Sequence, residues 1–369
     1  MSNFWVNKPV SVDGRRPVGQ ILSAEDLLTK IGADISGSKI MLRPTVHMGA
    51  DLDEAARGLL LEFLNANYVG SDRTKLMYSA ELFGYYLTDA IIIEFKPEKN
   101  DKLVGLIVGR RRLLNVASVE MGFLEVNFLC LIKPLRNLHL APLMIAILTR
   151  ECVNRYNISV ATYTISAKIA SPPFGKKQAF HRPLKLQRLV DTGFFPDYYP
   201  QFEKCCKFNN KSSAKMLYFN GSTEMPDGLY SVLTDFNKKS YALFDAKSED
   251  ELRAIFRNSA FHNFVFYDDD RVTNYVCLYR LDTYNKIKTQ AYKNGYFYIS
   301  CIGSDKRGVM DSVAEYCYKN DIFDVLTMTD DGSNSSALKF IEGTGYTNFY
   351  LFNMSVPPIE NSKNGLVTI

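Results

Sequence analysis

The order of elements repeats, and that repeat is the strongest constraint on how this chain can fold. Apolar periodicity predicts a helix over 53–66, with Asp51 as its cap and Glu54 in its first turn. Strands follow over 90–95, 103–109 and 121–131. A turn at Lys133-Pro134, a helix over 141–156 and a strand over 159–165 complete the unit. The second half runs through the same order. Ser248 and Glu251 have the spacing of a capping box for a helix over 249–257. Strands over 263–267, 274–281 and 295–302, a helix over 308–319 and a strand over 323–329 come next. A short helix over 335–342 and a strand over 348–353 close the pattern. This predicts an α/β (α+β) protein of two similar units in tandem, with residues 1–215 in one and 216–369 in the other. Residues 1–40, with scattered Pro and Gly, read as an irregular arm laid over the first unit.

Composition excludes several classes. Hydrophobic residues make up 46% and charged residues 23%, so a disordered chain is excluded. Lys and Arg total 44 against 40 Asp and Glu, a net +4. That is too little basic excess for a nucleic-acid binder. The 24 Phe and 22 Tyr suit strands and an apolar pocket with a few polar handles. Seven Cys without a CxxC, and four His without an HxxxH or HExxH, give no metal-binding pattern, so no metal is expected. The start at Met1 shows no secretory pattern. The longest apolar run, 138–148, is shorter than the roughly 18 to 20 residues of a membrane span. A cytoplasmic protein without an integral membrane segment is expected, and a monomer.

The most informative stretch is Glu125-Val-Asn-Phe-Leu-Cys130, followed by Arg136-Asn-Leu-His-Leu-Ala141-Pro142. A strand ends, the chain turns, and a helix begins beside an arginine. Unpaired N–H groups and the helix dipole at such a turn suit a pyrophosphate. The turn resembles the acyl-CoA loop of the GNAT acyltransferase superfamily, with His139 where Gly is usual. Together with Lys133-Pro-Leu-Arg136, the stretch resembles the signature of the N-myristoyltransferase (glycylpeptide N-tetradecanoyltransferase) family. Further blocks resemble that family in chain order. They are Phe4-Trp5 with Pro9-Val10; Leu64-Asn65; Asn67-Tyr68-Val69; Tyr78-Ser79; and 103–107. Later blocks are Tyr163-Thr164, Pro173-Phe-Gly175, His181-Arg182, 337–340, Gly343-Thr-Gly345, Tyr350-Leu-Phe-Asn353 and Gly365-Leu-Val367.

The resemblance implies two GNAT-like halves sharing one saddle-like mixed sheet. It implies transfer of myristate from myristoyl-CoA to the N-terminal glycine of proteins or peptides, with coenzyme A released. No resident cofactor is implied; myristoyl-CoA is the acyl-donor substrate. The implied oxyanion donors are the backbone N–H groups of Phe128 and Leu129. The implied base is the terminal carboxylate on Ile369, with Thr164 helping to hold the amine and Asn127 beside the glycine. Phe4, Trp5, Phe128, Leu129, Arg136, Asn137, Leu138, His139, Leu140 and Ala141 are the implied acyl-CoA contacts. Tyr68, Asp72, Tyr78, His181, Tyr279, Thr283, Gly343 and Thr344 are the implied peptide contacts.

The chain departs from the family at both ends of this site. Asn137, Leu138 and His139 replace Ser, Lys and Arg of the usual loop, removing phosphate-facing charge. The loop Gly70-Ser-Asp-Arg-Thr-Lys75 replaces an acidic cluster, so weaker selection for Lys downstream of the glycine is expected. Ala179 and Phe180 replace a Tyr-Trp pair. Arg110-Arg-Arg112 and Lys176-Lys177 read as solvated basic edges. Two alternatives stay open: a GNAT acyltransferase of other acyl or amine specificity, and a module that binds acyl-CoA or lipidated N-termini without catalysis.

Overall fold

Residues 90–95 are apolar but for Glu94, and all six are buried. A strand without polar alternation must be covered on both faces. The strand Ala90–Pro97 accordingly lies inside a thirteen-stranded sheet in the computed structural model of the chain. The structure describes residues 10–11, 18–36, 42–167, 169, 171–330 and 335–367. From one edge, the sheet runs Lys215–Phe219, Phe261–Asp268, Arg271–Arg280, Asn294–Cys301, Val325–Asp330, Gly175–Pro183 and Ile341–Phe352. It continues through Ala161–Ile165, Val119–Leu131, Gly105–Val116, Ala90–Pro97 and Leu42–Met48. Leu243–Asp245 pairs on Gly105–Val116.

Two neighbouring pairs in this sheet are parallel, and each is closed by a helical crossover. Val119–Leu131 and Ala161–Ile165 are joined by the helix Leu140–Tyr156. Asn294–Cys301 and Val325–Asp330 are joined by the helix Lys306–Lys319. Each pair holds for three rungs only, ending at Val126↔Tyr163 and at Tyr296↔Thr327. Just beyond, each first strand bulges against its antiparallel neighbour, at Phe128-Leu129 and at Tyr298. The strands then part. The centre of the sheet is an exchange: Gly175–Pro183 pairs with Val325–Asp330, and Ile341–Phe352 pairs with both Ala161–Ile165 and Gly175–Pro183.

The helix expected over 53–66 spans Glu54–Asn67, capped by Asp53, whose carboxylate accepts the Ala56 N–H at 2.7 Å, rather than by Asp51. The capping box at Ser248 and Glu251 is present. The expected irregular arm contains a helix, Ala24–Ser36, whose Leu27 and Ile31 pack against Ala146, Val153 and Phe352. No helix forms over the described part of 335–342. Lys339 turns left-handed (φ 63°), which drops both Leu338 and Phe340 into one core cluster. The expected solvated edges are buried at three positions: Arg110, Arg112 and Lys177 are 2%, 6% and 7% exposed.

Candidate functional site

Where the first parallel pair parts, a cavity of about 490 Å³ opens. Its walls include Tyr68, Tyr78, Asn127, Phe128, Leu129, Thr164, Tyr279 and Val367. Residues from five of the sequence blocks therefore face one space, with Tyr279 beside them. The bulge shapes its floor. Phe128 and Leu129 stand opposite the single residue Ile107, because Leu106 pairs with Cys130 and Val108 with Asn127. Phe128 has φ 53°, a conformation that a bulky residue holds only under constraint. The constraint is its buried ring, met edge-on by Tyr68, Tyr78, Phe83 and Tyr86 at centroid distances of 5.4, 5.2, 5.6 and 4.7 Å. Asn127 Oδ1 accepts the Tyr68 hydroxyl at 2.8 Å and the Phe128 N–H at 2.9 Å. Burial pushes the Tyr68 phenol up to about 12, so it is a neutral donor. The Phe128 N–H implied as an oxyanion donor is thus engaged by its neighbour here.

A second cavity of about 680 Å³ adjoins the first and shares Tyr68, Val69 and Leu129 with it. Arg136, Asn137, His139, Leu140 and Ala141 line it, while Leu138 is exposed outside it. Asn137 and His139 are both left-handed, at φ 72° and 54°, which turns the chain into the helix Leu140–Tyr156. His139 makes no side-chain cap bond, so the first turn of that helix has no side-chain acceptor at its cap. Arg136 is tied to backbone: Nε donates to Leu131 O at 3.0 Å and Nη2 to Asn67 O at 2.6 Å. Its charge lines the cavity while its guanidinium braces the turn. Cys130 beside it is a thiol, pushed up to about 11 by burial.

The peptide-side residues are less concentrated. His181 packs edge-on against Phe194 at 5.3 Å. Its Nδ1 lies 2.9 Å from Thr327 Oγ1, which donates to Asn294 Oδ1 at 2.8 Å. The imidazole is therefore the Nδ1–H tautomer, and burial lowers it to about 4. Thr327 lines the cavity; His181 stands behind it. Gly343 is where backbone meets that ring, since a Cβ there would fall 2.4 Å from His181 Nε2. Thr344 is exposed in the bulge of Ile341–Phe352. Thr283 is buried in the strand Asp282–Asn285, outside the cavity lining, and Asp72 is fully exposed, 3.9 Å from Lys133. Phe4, Trp5 and Ile369 lie outside the described residues. Val367, two positions before Ile369, lines the cavity, after Leu366 is buried and the Gly365 N–H is donated to Leu243 O at 2.7 Å.

Sequence reasoning missed Tyr296 and Thr327, which face each other across the last rung of the second parallel pair and both line the cavity. Their only signal is topological. Among the described residues, no group of three or more His, Cys, Asp or Glu could hold a metal ion. No described helix is long and apolar enough to cross a membrane.

Residues 39–174 match the model of the family described as myristoyl-CoA:protein N-myristoyltransferase, N-terminal domain. The glycylpeptide N-tetradecanoyltransferase of Eremothecium gossypii is 26% identical over 85% of this chain and 76% of its own length. The probable glycylpeptide N-tetradecanoyltransferase of Caenorhabditis elegans is 27% identical over 99% of this chain and 85% of its own. The crystal structure of Saccharomyces cerevisiae N-myristoyltransferase with bound myristoyl-CoA superposes with a TM-score of 0.80 at 21% identity, covering 100% of this chain and 99% of that one. The fold is therefore that of the N-myristoyltransferases.

Proposed function

We propose that this chain, a divergent member of the N-myristoyltransferase family, transfers a myristoyl group from CoA to the N-terminal glycine amine of proteins. One observation carries the reading: the bulge at Phe128-Leu129, Thr164 and the last described residue, Val367, converge on a single apolar cavity that adjoins the Arg136 turn. In this reading residues 1–215 hold the acyl donor, and residues 216–369 supply the tail and much of the peptide groove. CoA phosphates lie at the turn, and the acyl chain occupies the apolar cavity. The glycine ammonium gives a proton to the carboxylate on Ile369, because only the free amine is a nucleophile. Thr164 orients that amine. Attack on the thioester carbon places negative charge on its oxygen, which the Phe128 and Leu129 N–H groups stabilise once Asn127 Oδ1 releases Phe128. As the intermediate collapses, the nitrogen sheds its second proton, the amide forms and the C–S bond breaks, and the expelled CoA thiolate takes up that proton. Cys130 borders the site as a neutral thiol, which favours direct transfer over an acyl-cysteine intermediate.

A non-catalytic acyl-CoA binder is the second reading, favoured by the engaged Phe128 N–H and the backbone-tied Arg136. The deciding experiment measures CoA release from myristoyl-CoA with a Gly-starting peptide, for the full chain and for a chain ending at Leu366. The expected result is glycine-dependent release that falls about a hundredfold or more on truncation. Tight acyl-CoA binding without release selects the binder. Release indifferent to truncation removes Ile369 as the base.

A further inference from the structure

Lys177 is 7% exposed on a strand whose neighbouring cation, Lys176, points outward over the Tyr346 ring. An ammonium is taken out of water only where its partners are fixed. One partner is the tail: Lys177 Nζ donates to Leu366 O at 3.1 Å. The ammonium also lies 5.6 Å from the centroid of the Phe349 ring, and Phe349 lines the acyl-transfer cavity. Two further contacts from the start of the same strand hold the same segment. The Lys176 N–H donates to Asn361 Oδ1 at 2.9 Å. Gly175 lets Asn364 approach so closely that a Cβ would fall 2.8 Å from its Nδ2. The strand start therefore grips residues 361–366 at three points, and the chain enters the cavity at the next residue, Val367.

We infer that Lys177 is a positioning residue for acyl transfer: it fixes the Leu366 carbonyl, and so sets the course of the tail where it enters the cavity at Val367. This rests on the reading that the carboxylate on Ile369 is the base. A base displaced by about 1 Å can cost up to a hundredfold in rate without any loss of substrate binding. Lys177→Met in the full chain should therefore lower kcat by about tenfold to a hundredfold while KM for myristoyl-CoA stays within about twofold. Hydrogen exchange at the Leu366 and Val367 amides should rise, with the sheet amides unchanged. Lys177→Gln keeps a donor toward Leu366 O, and it should retain more activity than Lys177→Met; it carries the test if the Met variant does not fold. An unchanged kcat in a folded variant would overturn the inference. So would a loss that is explained by weaker acyl-CoA binding, or one that persists undiminished in a chain ending at Leu366. If truncation abolishes glycine-dependent release but both Lys177 variants keep their kcat, this inference fails and the functional reading stands. If truncation changes nothing, Ile369 is not the base, and this inference falls with that assignment while acyl transfer itself stands.

Discussion

Asn127 carries two hydrogen bonds on one oxygen, from the Tyr68 hydroxyl and from the Phe128 N–H. That arrangement gives the amide two jobs. It caps an N–H that no strand partner can take at a bulge, and it must let go when a thioester oxygen needs that donor. Tyr68 is the partner that keeps the amide oriented after it lets go. Tyr68→Phe preserves the ring against Phe128 and removes only the hydroxyl. Losing one neutral hydrogen bond is worth about 1 kcal/mol, so kcat should fall about threefold to tenfold with Tm lowered by no more than about 2 °C. Steady-state kinetics of the variant checks this. A faster variant would mean that Asn127 merely blocks the bulge and Tyr68 holds it closed.

At the scale of elements, the strand beneath this site is anchored by buried charge. Arg112 reaches Glu125 at 3.0 Å, two residues before Asn127, and also pairs with Asp245 on the short strand Leu243–Asp245. Lys247 pairs with Asp245 and donates to the Tyr298 hydroxyl at 3.0 Å. Burial alone would raise the Tyr298 phenol, but Arg112, Lys247 and Arg110 bring it down to about 8. Arg110 stacks over the Tyr85 ring at 4.3 Å. Arg112→Met would leave Glu125 and Asp245 buried without that partner, a loss of about 3 to 5 kcal/mol. Arg111, between the two, is exposed and pairs with Asp89 at 2.7 Å at the surface. Arg111→Met should cost at most about 1 kcal/mol. Urea unfolding of the two variants side by side tests the contrast, and equal losses would refute it.

The same strand shows what the sequence conceals. Three consecutive arginines read as a basic edge; strand alternation turns the outer two inward, Arg110 onto the Tyr85 ring and Arg112 between Glu125 on the next strand and Asp245, 133 residues along the chain. The capping box at Ser248 was legible because both of its partners lie within one turn. The helix Ala24–Ser36 went unread because its core face is completed by Ala146, Val153 and Phe352, distant in sequence. The strand Gly175–Pro183 was hidden by Lys176 and Lys177, whose opposite fates depend on a tail that comes almost two hundred residues later. Motif order made the bulge residues legible, but not the hydrogen bond that occupies Phe128.

Across the whole molecule, the two parallel pairs repeat a geometry but not a chemistry. At the second crossover, the Asp305 carboxylate caps the helix Lys306–Lys319, accepting the Gly308 N–H at 3.0 Å. A carboxylate there answers the helix dipole and repels a phosphate, whereas the first crossover begins at His139 with no side-chain cap. This asymmetry supports placing the acyl donor in the first half. The exchanged strands Gly175–Pro183 and Ile341–Phe352 join both parallel pairs in one sheet, and that sheet holds a half-buried and a buried histidine. His181 is on the exchanged strand Gly175–Pro183, and His262 is on Phe261–Asp268. Burial lowers both to about 4, with Arg280 adding to the effect at His262. Both folded values lie below the ordinary 6.5, so the unfolded chain binds the protons first. The two imidazoles place no penalty on folding above about pH 7, and stability drains away as pH falls from about 6.5 toward 4. For His262, which is 8% exposed, the drain approaches about 1 kcal/mol per pH unit. His262→Asn loses the bond to the Tyr218 hydroxyl, 2.8 Å long, and is less stable than the parent at pH 7. It no longer takes up that proton on unfolding, so its deficit should shrink with each step toward pH 4.5. Urea unfolding of parent and variant at pH 7, 6, 5 and 4.5 reads this directly. A deficit that stays constant across the series would show that His262 does not hold its neutral form through the fold.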